Sequence, residues 1–347
     1  MSSPHGHSGH GTPAPPKAGA YVVAKLRELD AVLTETAPRL LANSGDDEAV
    51  HDLRVAIRRM RTLLKMSRRL FGRWHTDVVR AAFADVMRAT GELRDEEVLE
   101  ETLEGTVEGA PELAGWVRAR KSREAKLRKA VITRIERGDL DRARLMLKAL
   151  LVFPVESDRN VDLARFARRT VERARRKVEG KRDVDVTDVT GMHDLRIAYK
   201  ELRYSIELLS DALPIDARAQ LEPATVFQKR LGELHDVDVA IEVIHDAKGL
   251  SLAAKEHALR SLAALRTKRV NKYLRELDPL GAQAAPARSD KEPAKLLVSA
   301  PLLASSHANG AGGTAPHELV GEAADARAGE KTAHIPTVRR RKSGGRV

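Results

Sequence analysis

Val50-His51-Asp52-Leu53-Arg54-Val55-Ala56-Ile57-Arg58-Arg59-Met60-Arg61 decides how this chain is read, because the segment occurs twice. Its second copy, farther along the chain, is Met192-His193-Asp194-Leu195-Arg196-Ile197-Ala198-Tyr199-Lys200-Glu201-Leu202-Arg203. A second match, Gly91-Glu92-Leu93-Arg94-Asp95 against Gly232-Glu233-Leu234-His235-Asp236, lies at almost the same offset. Two separate matches at nearly one offset identify an internal duplication, and such a repeat changes the whole fold assignment. The halves are expected at about residues 20–153 and 158–278.

Each copy has a helical period. At about 100° per residue, His51, Arg54, Arg58, Arg61 and Lys65 share an arc of about 80°. Leu53, Ile57, Met60 and Leu64 form the adjoining apolar stripe. In the second copy His193, Arg196, Lys200 and Arg203 make the basic stripe, and Leu195, Tyr199, Leu202 and Ile206 the apolar one. Glu207 stands where the first copy has Lys65, so the second stripe is shorter or tied into an ion pair. Like charges one helical turn apart repel by a few tenths of a kcal/mol per pair. Carrying that cost twice, in one phase, points to an anionic ligand. Arginine forks match phosphate oxygens, lysine offers a point charge, and such a stripe follows an extended anion for about 15 Å. His51 and His193 open the stripes. They can add a proton-switchable charge or donate to a phosphate oxygen, or they can be helix-start histidines with structural partners; the residues alone leave both readings open.

The rest of the chain agrees with a helical, anion-binding protein. It has 347 residues, 42% hydrophobic and 32% charged, with only 3% aromatics and a formal net charge of +11. Abundant Ala, Leu, Arg and Glu favour helices over strands, and the charge attracts nucleic acid, anionic membrane or phosphate chains. There are no cysteines, which excludes disulfides, thiolate nucleophiles and Cys-type metal sites and fits a cytoplasmic location. No apolar run approaches a membrane span.

Residues 1–18, rich in Gly, Pro, Ser and His, are expected to be a disordered leader; His5, His7 and His10 are candidate metal ligands there or part of a solvated tail. Amphipathic helices are expected at 19–42, 47–71, 75–91, 95–104, 112–137, 139–152, 160–179, 188–212, 215–233, 236–247 and 252–276, with breaks at Gly, Pro and Asn. In this reading Gly91 and Gly232 end helices, and Asp95 and Asp236 cap the next ones. Residues 280–347 are expected to be a disordered tail. Its basic end, Arg339-Arg340-Arg341-Lys342, either adds contacts to a polyanion or is a solubilising end. The expected fold is all-α, two tandem bundles of about four helices each.

On the two His-Asp-Leu-Arg segments, with the Gly-Glu-Leu-x-Asp elements in support, the chain resembles the CHAD family, the conserved histidine α-helical domain, over about residues 19–279. The resemblance implies two four-helix bundles related by a pseudo-twofold around a basic cavity. It implies binding of inorganic polyphosphate and association with polyphosphate granules and their proteins, with His51, Arg54, Arg58, Arg61, His193, Arg196, Lys200 and Arg203 as contacts. Lys65 extends the first stripe. Lower-tier basic candidates, nearly in register between the halves, are Arg88 with Lys229, Arg118 with Arg260 and Lys126 with Lys268. Some relatives carry a triphosphate-tunnel enzyme whose Glu-x-Glu-x-Lys signature is absent here, so catalysis is not inherited.

The expectation is therefore a non-enzymatic polyphosphate-binding protein with no cofactor, no metal and no membrane. A nucleic-acid-binding protein is the alternative, although few aromatics disfavour single-strand stacking. A metal-dependent phosphohydrolase is a third reading, for which no Walker loop or acidic metal cluster is visible.

Overall fold

The computed structural model describes residues 16–42, 45–152 and 161–277. These are helical: α1 (Ala18–Ala42), α2 (Asp47–Met66), α3 (Arg68–Phe71), α4 (Arg73–Glu104), α5 (Pro111–Glu136), α6 (Asp139–Val152), α7 (Leu163–Glu179), α8 (Val189–Leu208), α9 (Ile215–Ala219), α10 (Leu221–Asp246) and α11 (Leu252–Leu277), with a short 3-10 turn at Ser210–Ala212. Among the described residues there is no strand, only an isolated bridge between Lys17 and Asp162. It ties the start of α1 to the start of α7, through Ala18 N–H to the Val161 carbonyl (3.0 Å) and Leu163 N–H to the Pro16 carbonyl (2.9 Å). The His-rich leader up to residue 15, and the tail with its basic end, lie outside the described residues.

Side-chain caps start α2, α8 and α7. Asp46 accepts from Ala49 N–H (2.8 Å), Asp188 from Gly191 N–H (2.9 Å) and Asp162 from Arg165 N–H (2.9 Å). Each satisfies an amide that the first turn leaves without a helical partner. Gly138, at φ +78°, makes the left-handed turn between α5 and α6, a conformation that costs glycine little. α2 and α8 have the same length and begin and end at matching places around the two motif segments, and α5 and α11 are likewise equal in length.

The expected breaks at Gly91–Asp95 and Gly232–Asp236 are not there. α4 and α10 run straight through them. Phe83, Val86, Thr90 and Leu93 keep one buried phase across Gly91, and Leu231, Leu234 and Val237 stay buried across Gly232. A glycine in a helix costs about 1 kcal/mol. Burying a single Leu, Val or Phe returns about 1.5–3 kcal/mol, so the continuous helix wins. The helix expected over 47–71 is instead broken at Ser67, whose buried hydroxyl donates to the carbonyls of Leu63 (2.8 Å) and Leu64 (3.2 Å).

Three apolar cores result. The first gathers α1, α2, α6, the first part of α4 and the end of α5. The second gathers α7, α8, the first part of α10 and Tyr273 of α11. The third joins the far ends of the long hairpins: Leu99, Leu103 and Leu113 from α4–α5 meet Val237, Ile244, Ala258 and Leu262 from α10–α11. The halves meet at a second place, where α2 packs on α8 and Tyr204 and Leu208 enter the first core. Equivalent helices touch each other throughout: α1 with α7, α2 with α8, α4 with α10 and α5 with α11.

Candidate functional site

The α2–α8 crossing brings the two motif helices together. Arg58 donates from Nη1 to the hydroxyl of Tyr204 (3.3 Å), and the Arg203 guanidinium lies over the same ring, 4.8 Å from its centroid. Glu207 takes Arg59 from the other half and Arg203 from its own helix (3.6 Å). Glu201 takes Lys177 (2.8 Å) and, across the halves, Lys65 (3.7 Å). Arg80 donates from Nε to the Arg61 carbonyl (3.3 Å), which brings one more guanidinium beside α2. A cluster of cations from both halves is thus gathered around one tyrosine and two glutamates.

Arg54 lies deeper than its phase alone suggests. It is 5% exposed and donates to the Thr90 carbonyl on α4, just before Gly91. A buried guanidinium needs such an acceptor, because an unpaired buried charge is very costly. Arg54 therefore fixes α2 against α4. His51 is exposed at the start of its helix. His193 is half-buried, and its Nδ1 lies 3.4 Å from Nδ1 of His235 on α10, with ring centroids 4.7 Å apart. Arg196 and Lys200 are half-buried on α8.

The lower-tier residues are exposed charges on four helices. Arg88 pairs with Asp85 (3.1 Å) and Arg260 with Glu256 (3.8 Å), each on its own helix. Arg118 alone of the sequence candidates lines the cavity of about 670 Å³ between α4 and α5. Six carboxylates, including Glu97, Glu100 and Glu124, outnumber four cations there, and burial beside Glu124 and Glu96 pushes the Glu100 carboxyl up. That cavity does not suit a polyanion. Among the described residues no three His, Asp or Glu side chains are grouped as a metal would need, and no helix is long and apolar enough to cross a membrane.

Three roles within the site escaped the sequence reading. Tyr204 stood beside the repeated segment but carried no charge to draw notice. His235 occupies the variable position of the Gly-Glu-Leu-x-Asp element, where the first half has Arg94. The Asp of the His-Asp-Leu-Arg motif is an anchor in both halves: Asp52 pairs with Arg39 (3.3 Å) and Asp194 with Lys181 (2.6 Å). Those two cations stand as far apart in the chain as the two aspartates do, a signal that was legible in the sequence.

An all-helical protein in which two arginine-rich motif helices, one from each half, pack on each other is the class that fold and site define. The model of the CHAD domain matches residues 24–245, well over half of the chain, and the chain belongs to the CHAD domain family. The CHAD domain from the plant Ricinus communis is similar in structure, at 19% identity and a TM-score of 0.54, covering 82% of this chain and 95% of that one. PptA from Streptomyces chartreusis is similar at 14% identity and a TM-score of 0.60, covering 76% and 99%. At these identities the likeness speaks for the fold. No curated protein matches the sequence.

Proposed function

We propose that this protein binds inorganic polyphosphate without hydrolysing it and that binding attaches it to polyphosphate granules. In this reading the halves are related by a pseudo-twofold and present both basic stripes to one cavity. The observation that carries it is the α2–α8 crossing, where Arg58, Arg59, Lys65 and Arg203 from two halves share Tyr204, Glu201 and Glu207. These ion pairs are partly exposed. Such pairs contribute at most about 1 kcal/mol each, so a chain of phosphates can exchange them for its own oxygens. The contacts are His51, Arg58, Arg61 and Lys65 on α2 and His193, Arg196, Lys200 and Arg203 on α8, with Arg54 holding α2 in place. Membership of the CHAD family and the net charge of +11 support the same ligand class.

The test is a binding assay with long-chain polyphosphate at moderate salt. Affinity should fall linearly on logarithmic axes as salt rises, through counterion release. Replacing Arg58, Arg61, Arg196 and Lys200 together by Gln should lower affinity at least about tenfold. Undiminished affinity sinks the site. DNA or RNA that displaces polyphosphate at equal phosphate concentration would favour the nucleic-acid reading instead. Phosphate release with magnesium or manganese would overturn the non-enzymatic one.

A further inference from the structure

The outward face of α7 carries a second concentration of arginine that the site above does not use. Arg165, Arg168, Arg169 and Arg173 are all exposed, and none of the four side chains has an ion pair or hydrogen bond among the described residues. The neighbouring acids are already engaged. Glu172 holds Arg175 (3.0 Å) and Arg176 (3.0 Å), and Glu179 holds Arg175 (2.8 Å). Arg165, Arg169, Arg173 and Arg176 follow one another at turn spacing, so their heads form a line about 16 Å long at about 1.5 Å rise per residue.

The line is specific to this half. On α1, the helix at the corresponding place in the first half, the exposed residues are largely small or uncharged, its two exposed arginines stand beside as many exposed glutamates, and Arg39 is already held by Asp46 and Asp52. The α7 face is also apart from the α8 stripe. Lys177 and Lys181 reach Glu201 and Asp194, which project about 80–100° from His193 around α8. α7 therefore packs on the flank of α8 away from Arg196, Lys200 and Arg203, and its outward face points elsewhere.

We infer that the α7 arginine face is a second polyanion-binding strip, and that its occupant is a second inorganic polyphosphate chain. The inference rests on the polyphosphate reading of the first site. The chemistry favours a bare phosphate chain over other polyanions. Phe166, the one aromatic ring between the arginines, is half-buried against the first two cores, so the line offers no fully exposed ring to stack on bases and no fully exposed large apolar side chain to enter a lipid layer. A line of guanidinium forks on a straight helix suits a flexible chain of phosphates, each fork taking two oxygens. With one strip on α7 and another site at the α2–α8 crossing, a single molecule links two chains. Many such molecules on long chains form a network by multivalency, with no protein–protein contact required.

The experiment uses the full chain with long-chain polyphosphate and reads light scattering across protein-to-phosphate ratios alongside the affinity for a short chain. Two variants with equal loss of charge are compared: Arg165→Gln/Arg168→Gln/Arg169→Gln/Arg173→Gln, and a control, Arg137→Gln/Arg142→Gln/Lys148→Gln/Arg218→Gln. Thermal melts confirm that each is folded. The α7 variant should lose scattering at least about fivefold while binding the short chain within about twofold of the parent, and the control should scatter like the parent. Parent-like scattering by the α7 variant overturns the inference, as does equal loss in both variants, which would assign the effect to net charge. Retained scattering with polyphosphate but lost binding to duplex DNA or anionic vesicles would assign the face to those partners and overturn it too. A parent protein that binds no polyphosphate at all would instead sink the first site.

Discussion

α2 and α8 begin in the same way. Asp46 and Asp188 cap the first turn at equivalent positions, and Asp52 and Asp194 each hold a cation that arrives from the preceding helix or turn. Farther along they part. Where α2 has Lys65, α8 has Glu207; where α4 has Arg94, α10 has His235; and His51 is exposed where His193 is half-buried. The N-cap and the cation on the motif aspartate are repeated, while the burial of the motif arginine and what each helix presents to the other half have changed. Each motif helix buries an apolar stripe, which leaves little room for change on that side. The charged positions between the halves differ: the first half carries the longer basic stripe, and the second supplies Tyr204 and the two glutamates that hold it.

The largest test of that contrast is Arg54 against Arg196. Removing the buried Arg54 as Arg54→Leu strands the Thr90 carbonyl contact between α2 and α4. The expected loss in unfolding free energy is about 2–3 kcal/mol, the usual range for a hydrogen bond to a charged group. Arg196→Leu, at a half-buried position, should cost less stability than Arg54→Leu and act mainly on polyphosphate affinity. Denaturant titrations of both variants measure this, and equal losses would break the contrast.

A smaller effect separates the helix starts. Ala49 and Gly191 occupy the same place in the first turn, three residues after the capping aspartate. A methyl group added at Gly191 would clash with Val184 Cγ2 and come within 2.5 Å of Asp188 Oδ2, so a neighbour must shift. Gly191→Ala should therefore destabilise by about 1–2 kcal/mol, although alanine is the better helix former. Ala49→Gly should cost about 1–2 kcal/mol, through backbone entropy and the loss of a fully buried methyl. A stabilised Gly191→Ala, read from its thermal midpoint, would show that the two starts are equivalent after all.

Most of the fold was legible in the sequence because the repeat and the apolar phase are local, periodic signals. The helix class, the two motif helices and the junction at Gly138 follow from them. The continuity of α4 and α10 was not legible, because Gly91 and Gly232 are local breakers whose cost is outweighed by burial of Leu93, Leu99, Leu234 and Val237 on distant partners. The site was legible as a set of charges but not as an arrangement. The phase put Arg54 with Arg58 and Arg61, yet only the packing of α4 decides that Arg54 is an anchor. Which acids answer Arg59, Lys65 and Arg203 depends on how α2 crosses α8, and no spacing within one helix encodes that.

The smallest expected effect concerns pH, at the start of α2. The Ala49 amide lowers the Asp46 carboxyl below its ordinary value, desolvation opposes this in part, and the Arg39 guanidinium adds to the lowering. A carboxylate whose folded value is depressed contributes stability that is present above the unfolded carboxylate range and lost as pH falls through the folded value. The window therefore lies on the acid side only, and stability near neutral pH should be flat with respect to this group. Asp46→Asn keeps a side-chain oxygen for the Ala49 amide but removes the titration. Between about pH 5 and about pH 3 the parent should lose more of its denaturation midpoint than the variant does. The carboxyl is well solvated, so the difference should be slight beside those at Arg54 and Gly191. Parent and variant falling in parallel over that window would mean that the cap contributes through its geometry alone, and that the acid limb belongs to the clustered carboxylates elsewhere.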